Sequence, residues 1–362
     1  MRSVSFSGPS LDAREAEAVA EVVRSGWIRA GPRVAEFEKQ IAGLTCTRNA
    51  VAVSSCTAAL HLCLLAQDIE GKDVLVPSFT FAATVNAIVH ANGRPVFVDV
   101  LPDTFTIDPD DIRKKITKNS SVIIPVHLFG HPCDMDEILE IAEENELKVI
   151  EDCAHALGSQ YRGKSPGSFG LAGCFSFDTL KNVTTAEGGM LVTNDDKLAY
   201  MTKLLRNHGM DENHKHVLIG LNYKMTDIQA AIGLVQLGKL DENLHKRRLL
   251  RECYDKVLTD PSLVEVPKED ANCVSNFTFY TVKLRRASAT KMQKTLIQDG
   301  IETKSYRPVH LEPVYRNWVI KDSLAVTERI SKRALSLPMH PGLSEGDILG
   351  VARHLEGRLR AK

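Results

Sequence analysis

The stretch Lys148 to Thr193, KVIEDCAHALGSQYRGKSPGSFGLAGCFSFDTLKNVTTAEGGMLVT, decides the fold. It holds three short apolar runs of strand character, Val149-Ile150, Cys174 to Phe177 and Met190 to Thr193, each bordered by polar or small residues. In an open α/β sheet a ligand sits beyond the carboxyl ends of the strands, so the residues after such runs are the first candidates for a site. Asp152 leaves the first run. Lys181 comes a few residues after the second and is followed by Asn182-Val183-Thr184-Thr185 and then Gly188-Gly189.

A lysine that forms a Schiff base with pyridoxal phosphate, working with an aspartate that keeps the pyridine nitrogen protonated, is a recurring cofactor arrangement. Taken singly, a lysine after a strand is usually a solvated charge, and a strand-end aspartate usually caps a helix or turn. Here both stand in longer patterns. Glu151-Asp152-Cys153-Ala154-His155-Ala156 and the run Phe175 to Gly189, FSFDTLKNVTTAEGG, resemble the two signatures of the DegT family of nucleotide-sugar aminotransferases. Those signatures read roughly ED-A-A-[QH]-A and F-S-F-x-x-x-K-x-[IVL]-x-x-x-[ED]-G-G.

Working outward, 362 residues with 43% hydrophobic content are enough for one large and one smaller core. With 45 basic against 46 acidic residues, the net charge of -1 provides no broad field for nucleic acid or anionic lipid. The partner expected is a small molecule. Eight cysteines, at 46, 56, 63, 133, 153, 174, 253 and 273, form no C-x-x-C pair and no zinc-site run, and several lie in apolar runs. Free buried thiols fit a reducing compartment. Met1 to Ser10 lacks a signal-type apolar region and no span is long enough to cross a membrane, so a cytoplasmic protein is expected.

Asp12 and Glu15 read as a capping box opening a helix that Gly26 ends, and a loop, Ser25 to Pro32, follows. That loop resembles the family's S-G-W-[IL]-x-x-G-P on the substrate side of the site. Trp27 is thus either a substrate contact or a packing anchor. Val51 to Leu60 reads as a strand turning through Ser54-Ser55-Cys56-Thr57 into an apolar helix, whose free N–H groups and dipole suit an anion. In the family the corresponding S-S-G-T-A-A-L holds the cofactor phosphate; otherwise the turn is an ordinary cap. Cys56 stands where glycine is usual, and a positive φ there would be strained.

From Asp73 strands and helices alternate as in βαβ units, with strands at Val74 to Pro77, Val96 to Val98 and Val122 to Val126, and helices over Thr80 to Ala91 and Asp134 to Asn145. Pro77-Ser78-Phe79-Thr80-Phe81 resembles a family turn whose last aromatic packs on the pyridine ring, a role Phe81 would carry unless it is a core phenylalanine. His127 and His131 are four apart, but Gly130 and Pro132 oppose a helix. No metal is expected, and both read as loop histidines near the site.

A helix is expected over Asp195 to Asn207 and another over Thr226 to Leu240, leading through the charged run Asp241 to Arg251 toward the smaller domain. Phe277 to Val282 alternates like a strand, and Lys291 to Asp299 reads as a helix closed by Gly300. Gly220-Leu221-Asn222-Tyr223-Lys224-Met225 resembles the family's G-x-N-[YF]-R-M, whose asparagine reaches the cofactor phosphate of a neighbouring subunit. Lys224 replaces the arginine and gives up bidentate recognition. Tyr306 to Tyr315 and Leu335 to Pro341 also resemble family text.

The resemblance implies a fold-type I pyridoxal phosphate aminotransferase: an α/β fold with a large, mixed and mostly parallel sheet in residues 1–240, a smaller α+β domain in 241–362, and a homodimer with shared sites. Lys181 and Asp152 would be catalytic. The cofactor would be held by Cys56, Thr57, Phe81, Asp152, His155, Ser176, Lys181 and Asn222, and the substrate by Trp27, Lys224, Tyr306, Arg307 and His310. Glutamate would donate the amine to a nucleotide-linked 4-keto-6-deoxy sugar, since perosamine-type members have the closest lysine text. The alternatives are a dehydratase of the same family, whose lysine is replaced by histidine, and a cofactor-binding regulatory protein without turnover.

Overall fold

The computed structural model describes residues 3–318 and 324–361. The strands are β1 (Asn49–Val53), β2 (Asp73–Pro77), β3 (Arg94–Val98), β4 (Ser120–Ile123), β5 (Lys148–Asp152), β6 (Gln160–Tyr161), β7 (Ala172–Ser176) and β8 (Gly189–Thr193), then β9 (Val264–Glu265), β10 (Cys273–Val274), β11 (Tyr280–Leu284), β12 (Lys304–Ser305) and β13 (Ala334–Leu337). Seven of them form one sheet in the order β1-β8-β7-β5-β4-β2-β3. Its pairs from β3 to β7 are parallel, while β8 runs antiparallel to both β7 and β1. Six strands therefore point one way, and the start of β8 lies at the end where those six finish.

The helices are α1 (Ala13–Ser25), α2 (Pro32–Thr45), α3 (Cys56–Leu65), α4 (Ala82–His90), α5 (Pro109–Lys115), α6 (Met135–Glu144), α7 (Asp196–Leu205), α8 (Asp227–Leu237), α9 (Leu240–Val257), α10 (Ala289–Gln298), α11 (Ala325–Ser331) and α12 (Glu345–Arg360). Asp12 caps α1 in the expected capping box, and Gly26, at φ 75°, ends it in the left-handed conformation. The parallel strands are buried along nearly their whole length between helices, which explains their continuous apolar runs.

A second sheet, β12-β13-β11-β9, carries its own apolar core with α9, α10 and α12. Val4 belongs to that core and bridges Ile301, so the first described residues pack outside the large sheet. The charged run Asp241 to Arg251 is itself helical. Leu240 and Leu244 pack in the core of the large sheet, and Leu250, Cys253 and Tyr254 pack in the second core, so α9 crosses from one to the other. Between them Arg247 is fully buried and donates to the carbonyls of Phe277, Thr278 and Met339.

One expected strand is displaced. Phe277 takes φ 48°, and the strand begins only at Tyr280. Asn276 and Thr278 both donate to the His155 carbonyl, so the alternation read from Phe277 onward reflects anchoring of a loop rather than sheet pairing. Among the described residues no helix is long and apolar enough to cross a membrane.

Candidate active site

The sheet register brings the candidates together. Asp152 ends β5 opposite Cys174, Ser176 ends β7 opposite Gly189, and Val53 ends β1 opposite the same Gly189. Three turns therefore open on one end of the sheet, from Ser54 to Cys56, from Phe177 to Gly188, and at Asp152.

Asp152 is buried, with one carboxylate oxygen accepting from the Thr84 hydroxyl at 2.8 Å and the other from the Ala154 N–H at 3.0 Å. Burial raises its pKa, against the pull of Ala154, Thr84 and Lys181. The neighbouring Glu151 points to the opposite face and is fully buried. Its carboxylate accepts from the N–H groups of Gly167, Phe169 and Gly170 and from His127 Nε2, which fixes the loop between β6 and β7 and anchors the end of β5.

Lys181 sits in the loop after β7. Phe177 pins both ends of that loop by donating to the Gly188 carbonyl and accepting from Thr185 N–H, and Lys181 N–H donates to the Asp178 carbonyl. Burial depresses the Lys181 ammonium below the usual lysine range, although Asp178, Cys56 and Asp152 pull it up. Lys304 adds to the depression. It comes from β12 in the second sheet, and no sequence motif marks it.

Cys56 opens α3 as an ordinary helical residue, with Ser55 as extended N-cap accepting from Ala58 N–H. The strain expected of a non-glycine residue is absent because the turn needs no positive φ. The close approach is made from the other side. A Cβ on Gly189 would lie 2.3 Å from the Ser55 carbonyl carbon and 2.5 Å from the Cys56 nitrogen. The thiol of Cys56 faces inward, donating to the Cys174 carbonyl at 3.3 Å, and burial together with Asp152 pushes its pKa well up.

His155 accepts the Phe129 N–H at Nδ1, which leaves its proton on Nε2. Burial and the charges of Lys181 and Lys304 keep the ring neutral. Its ring is parallel to Phe129 and edge-on to Phe279.

Around the rim, Phe81 is 72% exposed at the N-cap of α4, which excludes the core reading; Phe79 takes the core place instead. Trp27 is half exposed, bonded by its indole N–H to the Ala30 carbonyl and covered by Arg29. Asp227 fixes that loop by accepting from Gly31, Arg33 and Val34 N–H groups. Lys224 bridges back to Val53 and donates to Asn207, and burial followed by Arg206 and Arg29 lowers its pKa. Asn222 is exposed on the arm that bridges to Asn207.

The five expected substrate residues come from two parts of the chain. Trp27 and Lys224 lie with Arg29, while Tyr306, Arg307 and His310 follow β12. The His310 ring is buried and its Nδ1 is 2.5 Å from the Ser78 hydroxyl, so it supports the turn below Phe81. Tyr306 likewise bonds inward through its hydroxyl to Ser336 and packs its ring on Phe129. Arg307 is exposed, held by the Leu311 carbonyl and Glu312.

These residues fit pyridoxal phosphate. The Ser55–Cys56 turn, kept open by Gly189, presents unpaired helix N–H groups for a phosphate; a desolvated amine and a buried carboxylate suit the two ends of a pyridine aldehyde.

The DegT/DnrJ/EryC1/StrS aminotransferase family model matches residues 9–356. The chain is 41% identical to the GDP-perosamine synthase of Caulobacter vibrioides over 98% of its own length and 97% of that protein's. Its structure superposes on Spr1654 of Streptococcus pneumoniae in the PLP-form with a TM-score of 0.94 and 29% identity, covering 99% of both chains. On DesV of S. venezuelae the TM-score is 0.93 with 32% identity, again covering 99% of both chains.

Proposed function

The chain belongs to the DegT/DnrJ/EryC1/StrS aminotransferase family and is a pyridoxal phosphate-dependent sugar aminotransferase, and from that premise we propose that glutamate is its amino donor and a nucleotide-linked 4-keto-6-deoxy sugar its acceptor. The observation that carries the reading of the site is the desolvated Lys181 amine within the field of the buried Asp152 carboxylate.

Bound pyridoxal phosphate supplies an electrophilic carbon and a ring that accepts an electron pair. Lys181 would be its covalent anchor. Its Nζ, with a pKa depressed by burial, would be the group that takes a proton from the donor carbon and returns it on the acceptor side. Asp152, steadied by Thr84 and Ala154, would hold the proton on the ring nitrogen. His155 would offer its Nε2 proton to the ring oxygen. Cys56 and Thr57 at the start of α3, with Ser176, would bind the phosphate, and Asn222 of a second copy would complete the site.

For the acceptor, Phe81, Trp27, Lys224 and Arg307 offer an aromatic and cationic rim suited to a sugar face and a diphosphate. Tyr306 and His310 support that rim from behind. The similarity to a GDP-perosamine synthase favours the sugar assignment. The presence of Lys181 itself speaks against the dehydratase alternative. We also assign the chain a large domain to about residue 240 and a smaller one after it, with the first residues joined to the latter. Eight free thiols, seven of them buried, support a cytoplasmic setting.

The test is steady-state kinetics with glutamate and a panel of keto-sugar nucleotides. Parallel double-reciprocal lines are expected, as in a two-stage exchange. Efficient transfer to simple 2-oxo acids with every keto-sugar nucleotide inert would overturn the sugar assignment.

A further inference from the structure

The fold separates His127 from His131 and gives each a different neighbourhood. His127 Nε2 bonds Glu151, and its Nδ1 accepts the Cys133 N–H. His131 turns instead toward the segment before β11. Its Nδ1 lies 2.8 Å from the Pro132 carbonyl oxygen. A carbonyl only accepts, so Nδ1 carries the proton and Nε2 presents a lone pair. That Nε2 is buried and has no hydrogen-bond partner among the described residues.

The imidazole lies beside two further ligand groups. His131, Asp270 and Cys273 each place one donor atom within 4.8 Å of the other two. Cys273 is buried, with its thiol facing the Asp270 carboxylate and the Pro132 carbonyl oxygen, the latter at a long 4.0 Å. Asp270 is exposed, and its turn is fixed by Asn272 N–H on its carboxylate and Cys273 N–H on its carbonyl. A histidine whose other nitrogen is tied to a carbonyl is the orientation that metal-ligating histidines adopt.

We propose that His131, Asp270 and Cys273 form a binding site for one zinc-class divalent cation. Zinc takes imidazole nitrogen, thiolate and carboxylate at about 2.0–2.3 Å in tetrahedral geometry, which needs ligand atoms roughly 3.5 Å apart. The three side chains reach this by closing about 1 Å. Binding releases the Cys273 thiol proton to solvent, and the thiolate and carboxylate together balance the dication. Asp270, open to solvent, provides the way in, and a water fills the fourth position.

The site would act as a staple behind the wall that carries His155. The same segment continues to Asn276 and Thr278, which hold the His155 carbonyl, and to Phe279, which packs on its ring. None of the three ligands belongs to the cofactor site, so the inference stands apart from the proposed reaction.

The experiment is a titration of the cofactor-loaded enzyme with cobalt(II) under a thiol-free reductant, read as a difference spectrum. One equivalent is expected to give a sulfur-to-cobalt charge-transfer band that zinc then displaces. The band should vanish in Cys273→Ser and His131→Asn, and the exposed Asp270→Asn, which spares the core, should bind at least tenfold more weakly. Zinc should also raise the thermal midpoint of wild type more than that of Asp270→Asn. No band in wild type, or an equal band in Cys273→Ser, which would place the metal on another thiol such as the exposed Cys46, overturns the proposal.

Discussion

Lys181 and Lys304 approach the same cleft from different parts of the fold, and the charge of Lys304 disfavours that of Lys181. Burial is the larger cause at Lys181, and Asp178, Cys56 and Asp152 oppose it, so Lys304 acts as the adjustable part of the balance. The sign follows directly. Replacing Lys304 by methionine removes a repelling cation, raises the Lys181 pKa and leaves more of the amine protonated at a given pH. The pH profile of Lys181 acylation in the cofactor-free protein, read by peptide mass spectrometry, should therefore move to higher pH in Lys304→Met. An unmoved profile would contradict the coupling. Asp152 and Lys181 were legible in the sequence because each is embedded in a contiguous motif. Lys304 and Thr84 were not, since their proximity to the site is created by chain crossings. The bond from His310 to Ser78 was hidden for a related reason, since the two residues are far apart in the sequence.

At the scale of elements, the Gly188-Gly189 pair is where the lysine loop meets the phosphate turn. Gly189 starts β8 directly against Ser55 and Cys56, and the obstacles to a Cβ are backbone atoms that cannot swing aside. Gly189→Ala should push the start of α3 away at a cost of about 1–3 kcal/mol, which weakens cofactor binding roughly tenfold to a hundredfold. Cofactor affinity measured by absorbance titration, with circular dichroism to check the fold, tests this; wild-type affinity would refute the packing account. The doubled glycine was visible in the sequence, but its neighbour was not. The same limit applies to Cys56, where the sequence suggested strain in the turn and the structure moves the close contact to β8. Helices were readable from caps and periodicity, as for α1 and α8. The strand before Leu284 began late because a left-handed Phe277 interrupts an alternation that is otherwise strand-like.

For the whole molecule, α9 links the two cores over about 27 Å and the buried Arg247 bolts it to the segment behind His155. Asn222 lies on an arm that also exposes Val217 and Ile219, the latter at 97%, a placement suited to contact with a second copy. If that arm completes the neighbour's phosphate site, mixing inactive Lys181→Ala and inactive Asn222→Ala chains should restore about a quarter of native activity, since half of randomly mixed dimers carry one intact site of two. Mixed dimers without activity would mean that each site is built from one chain. The alternation of strands and helices made the α/β class legible, whereas the attachment of Val4 to the second core was not, because its partners at Gly300 to Glu302 are some three hundred residues away in the sequence. The claim at the centre of this account is that Lys181 is the residue that carries the cofactor. Borohydride reduction of the loaded enzyme followed by peptide mapping should add the cofactor mass to the peptide containing Lys181, with Lys181→Ala unlabelled, folded and without turnover; label on another lysine, or turnover by Lys181→Ala, would contradict it.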